Sequence, residues 1–525
     1  MTENKGSAVQ DKAVPTLGMI GGGSMGGGWS LNAAEQGDSV AIYDTSDDAL
    51  NKAVDDGENI GIHLIRASSL EDMVASFDTG KNGPRVFVMS LPHGPAVDKV
   101  LDELLPLLSP GDIVIDGGNE WWEETERRQG KCVNRNVHYV GTGVSGGYQS
   151  SRHGPSISPS GTTEAYAKVE EKLKKWAAKD GKGNPCVCYV GPGGSGHYVK
   201  MIHNGIEQGH LSILAEAHYL LHHTAGLENK AVADLFDEWN GTNAKGGEDD
   251  KAGEGQEGKE LYDNFLLKIG AEILRFRHGD GLDMKKGIVD GIEDKVTQDV
   301  DNSEGTGVWT LREIAGRHVA APTIAAAHQL RITSAFRRTR LKAHEALDLP
   351  LPKRLGDDKS FDQKEFLKDL RLAVYAGILG SYVQGMHIIA QASEDQHWNI
   401  NYANVIGIWR AGCIIQSDGI SDILQPIYTE NPKLKNLLEN PKIAQELRKS
   451  YDALKRVCKI SLESDSITPA LDATLSWLKQ AGCDSLPTNF EEAELDYFGD
   501  HQYDTKDEAA LDPKKGKHHT EWKST

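Results

Sequence analysis

A chain of 525 residues exceeds one ordinary core, and at about 100 to 200 residues per domain it predicts roughly two to four units. With 38% hydrophobic and 26% charged residues the composition is that of a globular protein, and a formal charge of −21 at pH 7 argues against nucleic acid as the main partner. An anionic small molecule would need a local basic pocket set against this field. The opening MTENKGSAVQDKAVPT is polar and lacks the apolar stretch of a secretory signal, and no window nears 18 uninterrupted apolar residues, so no membrane partner and a cytoplasmic location are expected. Six scattered cysteines lack CxxC spacing and are expected to be reduced and structural, and no metal site is expected.

From Thr16 the order is strand, Gly-rich turn, helix, strand: TLGMI, GGGSMGGG, WSLNAAEQG and DSVAIYD. The apolar runs RVFVMSL, DIVIDGG and VHYVGTGV then alternate with helix-like segments such as AVDKVLDELLPLL, the pattern of a parallel α/β sheet. An N-terminal α/β Rossmann-like dinucleotide-binding domain is therefore predicted over residues 14–195, after a disordered tail at 1–13. Beyond GPGGSGH long amphipathic patterns take over, among them YVKMIHNGIEQGHLSILAEAHYLLHHTA, PTIAAAHQLRITSAFRRTRLKAHEAL and LRLAVYAGILGSYVQGMHIIAQAS. They predict a large all-α C-terminal domain over 196–494. Segment 244–260 is acidic and lacks an apolar anchor, so a flexible insertion is expected there, and 495–525 reads as a polar tail.

Gly21-Gly22-Gly23-Ser24-Met25-Gly26 fits G-x-G-x-x-G between a strand and a helix, where Gly21, Gly23 and Gly26 would allow a tight turn, close approach to a pyrophosphate and helix packing. The second strand ends at Asp44, whose carboxylate would bind the ribose hydroxyls and repel a 2′-phosphate; Thr45 and Ser46 add no guanidinium. NAD is thus favoured over NADP. On VKMIHNGIEQGH, Lys200, His203, Asn204 and Glu207 fall within an arc of roughly 100° of a helix, away from Val199, Ile202 and Ile206. The spacing puts the Lys200 and Glu207 heads about 10 Å apart by axial rise. A buried lysine can serve as a base and a buried glutamate as an acid.

VSGGYQSSRHGPSISPSG at 144–161, GHYVKMIHNGIEQG at 196–209, EGTGVWT at 304–310, WRAGCIIQS at 409–417 and DYFGDHQY at 496–503 resemble, in order, the decarboxylating 6-phosphogluconate dehydrogenases. The resemblance implies NAD(P)-dependent oxidation of a 3-hydroxy sugar acid followed by loss of C1 as carbon dioxide. In it Lys200 is the base and Glu207 the acid. Asn119, Ser145, Gly146, Gly147, His203, Asn204, Thr306, Arg331 and His501 bind the substrate, with Asn119 also beside the cofactor. A homodimer is implied, the C-terminal tail carrying His501 into the partner's site; VYAGILGSYVQGMHIIAQA suits either a subunit interface or a domain core.

The chain departs from that family at the phosphate end, where Gln208 stands for a tyrosine, Glu304 for a lysine and Leu495 for an arginine. A glutamate beside a dianion repels it, and a charge-assisted hydrogen bond to the phosphate, where present, would be worth about 1.5 to 3 kcal/mol. An unphosphorylated aldonate-like acid used with NAD is therefore a second expectation, with Glu304 pairing Arg331. Alternatively Lys295 or Arg337 rebuilds a phosphate site. At the cofactor end Pro92-His93-Gly94 and Asp44-Thr45-Ser46 also depart. A third reading, a dinucleotide-binding sensor without turnover, sits poorly with the complete catalytic stripe.

Overall fold

The computed structural model describes residues 14–78, 83–241, 260–277, 287–298, 300–302, 304–508 and 513–522. The expected tail at 1–13 and nearly all of the expected acidic insertion lie outside the described residues. The last residue of that insertion is a correction: Glu260 is buried, ion-paired with Arg371 and, at 2.6 Å, with Lys449. It anchors the chain there.

Among the described residues seven strands form one sheet: β1 (Leu17–Ile20), β2 (Val40–Tyr43), β3 (Ile65–Arg66), β4 (Val86–Met89), β5 (Ile113–Asp116), β6 (His138–Ser145) and β7 (Ser156–Ser160), in the order β3-β2-β1-β4-β5-β6-β7. All neighbours pair parallel except β6 and β7. LGMI, VFVM and IVID are buried throughout, because helices cover both faces and leave no wet side for alternating polar residues. The order reverses between β1 and β4, opening a crevice at the carboxyl ends of the strands.

The antiparallel β7, SISPS, is not expected from apolar runs. It is an edge strand, where Pro159 is tolerated. Two of its serines point hydroxyls into the helical half: Ser156 Oγ donates to Ile408 O at 2.6 Å and Ser158 Oγ to Gly196 O at 3.0 Å.

Past residue 195 the described elements are helical, as expected. Ser195–Tyr219, the site helix, is followed by a π-helical turn at Leu220–Thr224. PTIAAAHQLRITSAFRRTRLKAHEAL breaks at Phe336 into Pro322–Ala335 and Arg337–Leu347. The Gln363–Asp395 helix is long and apolar enough to cross a membrane by length and composition, yet 89% of its most apolar stretch is buried within the protein. VYAGILGSYVQGMHIIAQA, which lies in it, is thus domain core.

The site helix is held from two sides. Against the sheet, a Cβ on Gly143 would lie 2.3 Å from Lys200 Cβ, so only glycine lets the helix pass this closely over β6. Against the core helix, a Cβ on Gly385 would lie 2.4 Å from Ile206 Cγ1. A rod clamped this way has little freedom to rotate, which fixes where its polar stripe points.

The chain divides into two compact units, Met1–Thr474 and Leu475–Thr525, so the C-terminal segment begins before the expected residue 495. In the second unit the Thr488–Gly499 helix presents a buried Asp496 carboxylate. It accepts from the Gln502 and Thr520 backbone N–H groups at 3.0 and 3.1 Å and from Trp522 Nε1 at 2.9 Å, with His519 Nδ1 at 3.0 Å.

Candidate active site

At the crevice Gly21 has φ +101°, and a Cβ there would lie 2.3 Å from Ser90 O. Gly26 packs so closely that a Cβ would fall 2.0 Å from Gly21 O. Gly23, by contrast, faces open space and N-caps the Ser24–Glu35 helix without a side-chain bond, so Ser24, Met25 and the following N–H groups form a turn suited to a pyrophosphate. Asp44 hangs beside it. Its carboxylate accepts from the Gly22 N–H at 2.6 Å and the Ser46 N–H at 2.7 Å. Thr45 and Ser46 are exposed, and Ser46 Oγ caps the next helix by accepting from the Ala49 N–H at 3.3 Å. Arg66 of β3, which the sequence pattern does not single out, also lies near and is paired with Asp47 at 2.8 Å. These residues fit a dinucleotide.

Two further loops at the strand ends are tied together. Arg128 is fully buried and ion-paired with Glu120, itself 2% exposed; the Glu120 carboxylate also accepts from the Gly94 N–H at 3.0 Å, and Arg128 Nη2 donates to Gly94 O at 3.1 Å. The Pro92-His93-Gly94 turn and half-buried Asn119 are thus held in one frame. Arg128 is also paired with the partly exposed Asp98 at 3.0 Å, so removing Glu120 takes away one of its two carboxylates. Glu120→Ala is expected to cost about 1.5 to 3 kcal/mol in urea denaturation, against less than about 1 kcal/mol for breaking the exposed Lys52–Asp56 pair.

The first turns of the site helix meet the end of β6. There Lys200, 9% exposed, donates from Nζ to Ser145 Oγ at 3.1 Å. Gly146 follows with φ +104°, and a Cβ on it would lie 2.3 Å from Gly412 O; Gly147 has φ +67°. One turn on, Asn204 Nδ2 donates to Thr306 Oγ1 at 3.2 Å, and Asn204 Oδ1 stands 3.1 Å from His203 Nδ1. Glu207 Oε2 is 3.8 Å from the same His203 nitrogen.

Electrostatics set the protonation states. Burial lowers the Lys200 pKa, opposed by the negative charge of Glu207 and Glu304 and by Cys413. Burial raises that of Glu207, with Glu304 adding to the rise and Lys200 and Arg331 opposing it. His203, fully buried, is held well below its ordinary value by burial and by Lys200, so it is neutral. An amine biased toward its free-base form and a carboxyl biased toward its acid form therefore share one wall.

At the far end Gln208 Oε1 lies 3.0 Å from His328 Nδ1, and Arg331 Nη2 donates to Gln298 O at 2.8 Å. Arg337 pairs with Glu293 at 2.8 Å and Asp294 at 3.2 Å, whereas Lys295 lines a cavity of about 490 Å³ together with Gln208 and Arg331.

Residues 16–191 match the NAD binding domain of 6-phosphogluconate dehydrogenase, and residues 196–246 and 254–522 match its C-terminal domain. The decarboxylating 6-phosphogluconate dehydrogenase of Emericella nidulans is 42% identical over 95% of this chain and 99% of its own length. The chain belongs to the 6-phosphogluconate dehydrogenase family. A chloroplastic decarboxylating member from rice is 36% identical over 97% of this chain and 94% of its own length. The solved 6-phosphogluconate dehydrogenase of Plasmodium falciparum, studied with NADP+ and with 6-phosphogluconate, superposes with a TM-score of 0.83 at 31% identity, covering 96% of this chain and 100% of that one.

For a 6-phosphogluconate dehydrogenase family member, Ser145, Lys200, His203, Asn204, Glu207 and Thr306 are brought together along one wall. Arg331 and Glu304 both act on Glu207 through space. Asn119 stays on its own loop after β5. His501 belongs to the second unit, its ring edge-on to Phe498 at 5.9 Å. Besides Arg66, two residues carry no assigned role in the sequence pattern. Cys413, grouped with the structural thiols, is buried and bears on Lys200, its own pKa raised by burial; its signal was its place inside WRAGCIIQS. His328 had none, being one histidine in an amphipathic run.

Proposed function

We propose that this protein catalyses NAD(P)-dependent oxidative decarboxylation of 6-phosphogluconate to ribulose 5-phosphate, with Lys200 as base and Glu207 as acid. The observation that carries the reading is the opposed bias of these two groups on one buried helix. Neutral Lys200 takes the proton of the C3 hydroxyl, with Ser145 Oγ steering the amine. A bound nicotinamide supplies the hydride acceptor for C3. The resulting 3-keto acid loses C1 carboxylate as carbon dioxide while the Lys200 ammonium, hydrogen-bonded to the C3 oxygen, stabilises the enediol. Glu207 then delivers its proton to the former C2, which becomes C1 of ribulose 5-phosphate. Lys200 ends protonated and Glu207 ionised, so one proton returned from amine to carboxylate resets the pair.

Asn119, Gly146, Gly147, His203, Asn204 and Thr306 line the carboxylate and hydroxyl end, and Arg331 and the partner-borne tail with His501 complete the site in a cytoplasmic homodimer. The domain limits proposed are those of the sequence, 14–195 for the dinucleotide and 196 onward for substrate and dimerisation. The test is a screen of 6-phosphogluconate and gluconate with each dinucleotide, following reduced nicotinamide and carbon dioxide together. Absence of both products in every arm would discard the reading.

NAD is the proposed cofactor, on the strength of the Asp44 carboxylate held beside the Gly-rich turn. Asp44→Ser is expected to raise the KM for NAD by about tenfold and to shift the kcat/KM ratio toward NADP, because it removes both the ribose acceptor and the charge that repels a 2′-phosphate. A second reading, an unphosphorylated aldonate as the better substrate, is favoured by the neutral Gln208 with His328 and by the carboxylate of Glu304 at the far end. The gluconate arm of the screen decides between them.

A further inference from the structure

The site helix meets a different neighbour on each successive turn. Lys200 reaches Ser145, Asn204 reaches Thr306, and Gln208 reaches His328. At 1.5 Å per residue Gln208 lies about 12 Å along the axis from Lys200, beyond the carbons where the bonds change. His328 is buried on the Pro322–Ala335 helix. Its ring and the Gln208 amide nitrogen both press on Gly307, where a Cβ would fall 2.7 Å from His328 Cε1 and 2.8 Å from Gln208 Nε2. One turn later the same helix carries Arg331, which lines the 490 Å³ cavity with Gln208.

Resting on the reaction given above, we propose that His328 is a positioning residue that sets which end of the Gln208 amide meets the remote end of the sugar acid. A primary amide has one acceptor oxygen and two N–H donors. With Nδ1–H of His328 donating to Oε1, the amide is turned so that Nε2 keeps hydrogens for a substrate oxygen. Had the imidazole presented a lone pair instead, the amide would flip and offer an acceptor, which neither a phosphate oxygen nor a hydroxyl acting as acceptor can use. Gly307 belongs to the same device, since any side chain there would push into both the imidazole and the amide.

The test titrates 6-phosphogluconate and gluconate calorimetrically into the wild type, His328→Val, His328→Asn, Gln208→Leu and the double variant His328→Val/Gln208→Leu, with steady-state kinetics alongside. His328→Val and Gln208→Leu are each expected to raise Kd and KM by about tenfold, the loss of one oriented hydrogen bond, with kcat within about twofold. His328→Asn, which can still donate to Oε1, should restore most of the affinity, and the double variant should bind no more weakly than Gln208→Leu alone. Loss confined to 6-phosphogluconate identifies a phosphate oxygen as the target, and equal loss for both acids identifies a hydroxyl. An unchanged Kd in His328→Val, or losses that multiply in the double variant, would overturn the proposal. Binding in the wild type without turnover would strike at the reaction alone, because the Kd comparison still decides the role of His328.

Discussion

Lys200→Met is expected to lower kcat by about 10³- to 10⁴-fold while leaving dinucleotide affinity and circular dichroism unchanged. Methionine keeps the unbranched stem that packs over Gly143 and removes only the amine. The loss should be large because nothing else near C3 can replace it. His203, the other nitrogen base on the stripe, is held neutral with its Nδ1 beside Asn204 and Glu207, and Ser145 Oγ is the hydrogen-bond partner of the missing group. Lys200→Arg sharpens the test. A guanidinium keeps positive charge yet does not deprotonate in proteins, so it should be as inactive as methionine if proton abstraction is the role, and partly active if charge alone matters. Wild-type rates in Lys200→Met would end the assignment.

Glu207→Gln is expected to cost about 10²- to 10⁴-fold in overall turnover and to change the pH profile as well as the rate. In the wild type the active form needs Lys200 deprotonated and Glu207 protonated. Activity must therefore fall at low pH, where the amine is charged, and at high pH, where the carboxyl is ionised. Burial draws the Lys200 value down from 10.5 and the Glu207 value up from 4.5, so both limbs of the bell should lie inside that interval. With glutamine at 207 only the amine titrates. Release of reduced nicotinamide should then rise with pH along one limb, and carbon dioxide should continue to form while protonation of the former C2 becomes slow. A bell that survives Glu207→Gln unaltered would remove Glu207 from the role.

Much of this molecule was legible in its residues, for identifiable reasons. The buried parallel strands read clearly because helices on both faces demand uninterrupted apolar runs, as in LGMI and VFVM. Ile65–Arg66 was too short to register, and Ser156–Ser160 lacks an apolar run because its stability comes from edge pairing and from hydroxyl bonds to distant backbone. The Lys200-to-Glu207 stripe was visible from 3.6-residue periodicity, and the Gly-rich turn from its position between strand and helix. Long-range partnerships were not. That Glu260 anchors on Arg371 and Lys449, or that Gln208 meets His328 across 120 positions, depends on how helices cross, which local pattern does not encode. The C-terminal unit likewise begins at Leu475, inside a helix whose sequence carries no break.

The clamping of the site helix between Gly143 and Gly385 has a final consequence. An α-helix is nearly inextensible, so the interval from Lys200 to Gln208 behaves as a gauge block rather than as an adjustable grip. A five-carbon homologue anchored at its carboxylate would fall short of Gln208, and one seated against Gln208 would hold its alcohol away from the amine. Discrimination by carbon count would then be inherent in the spacing of one rod, without any residue having to clash with the wrong acid.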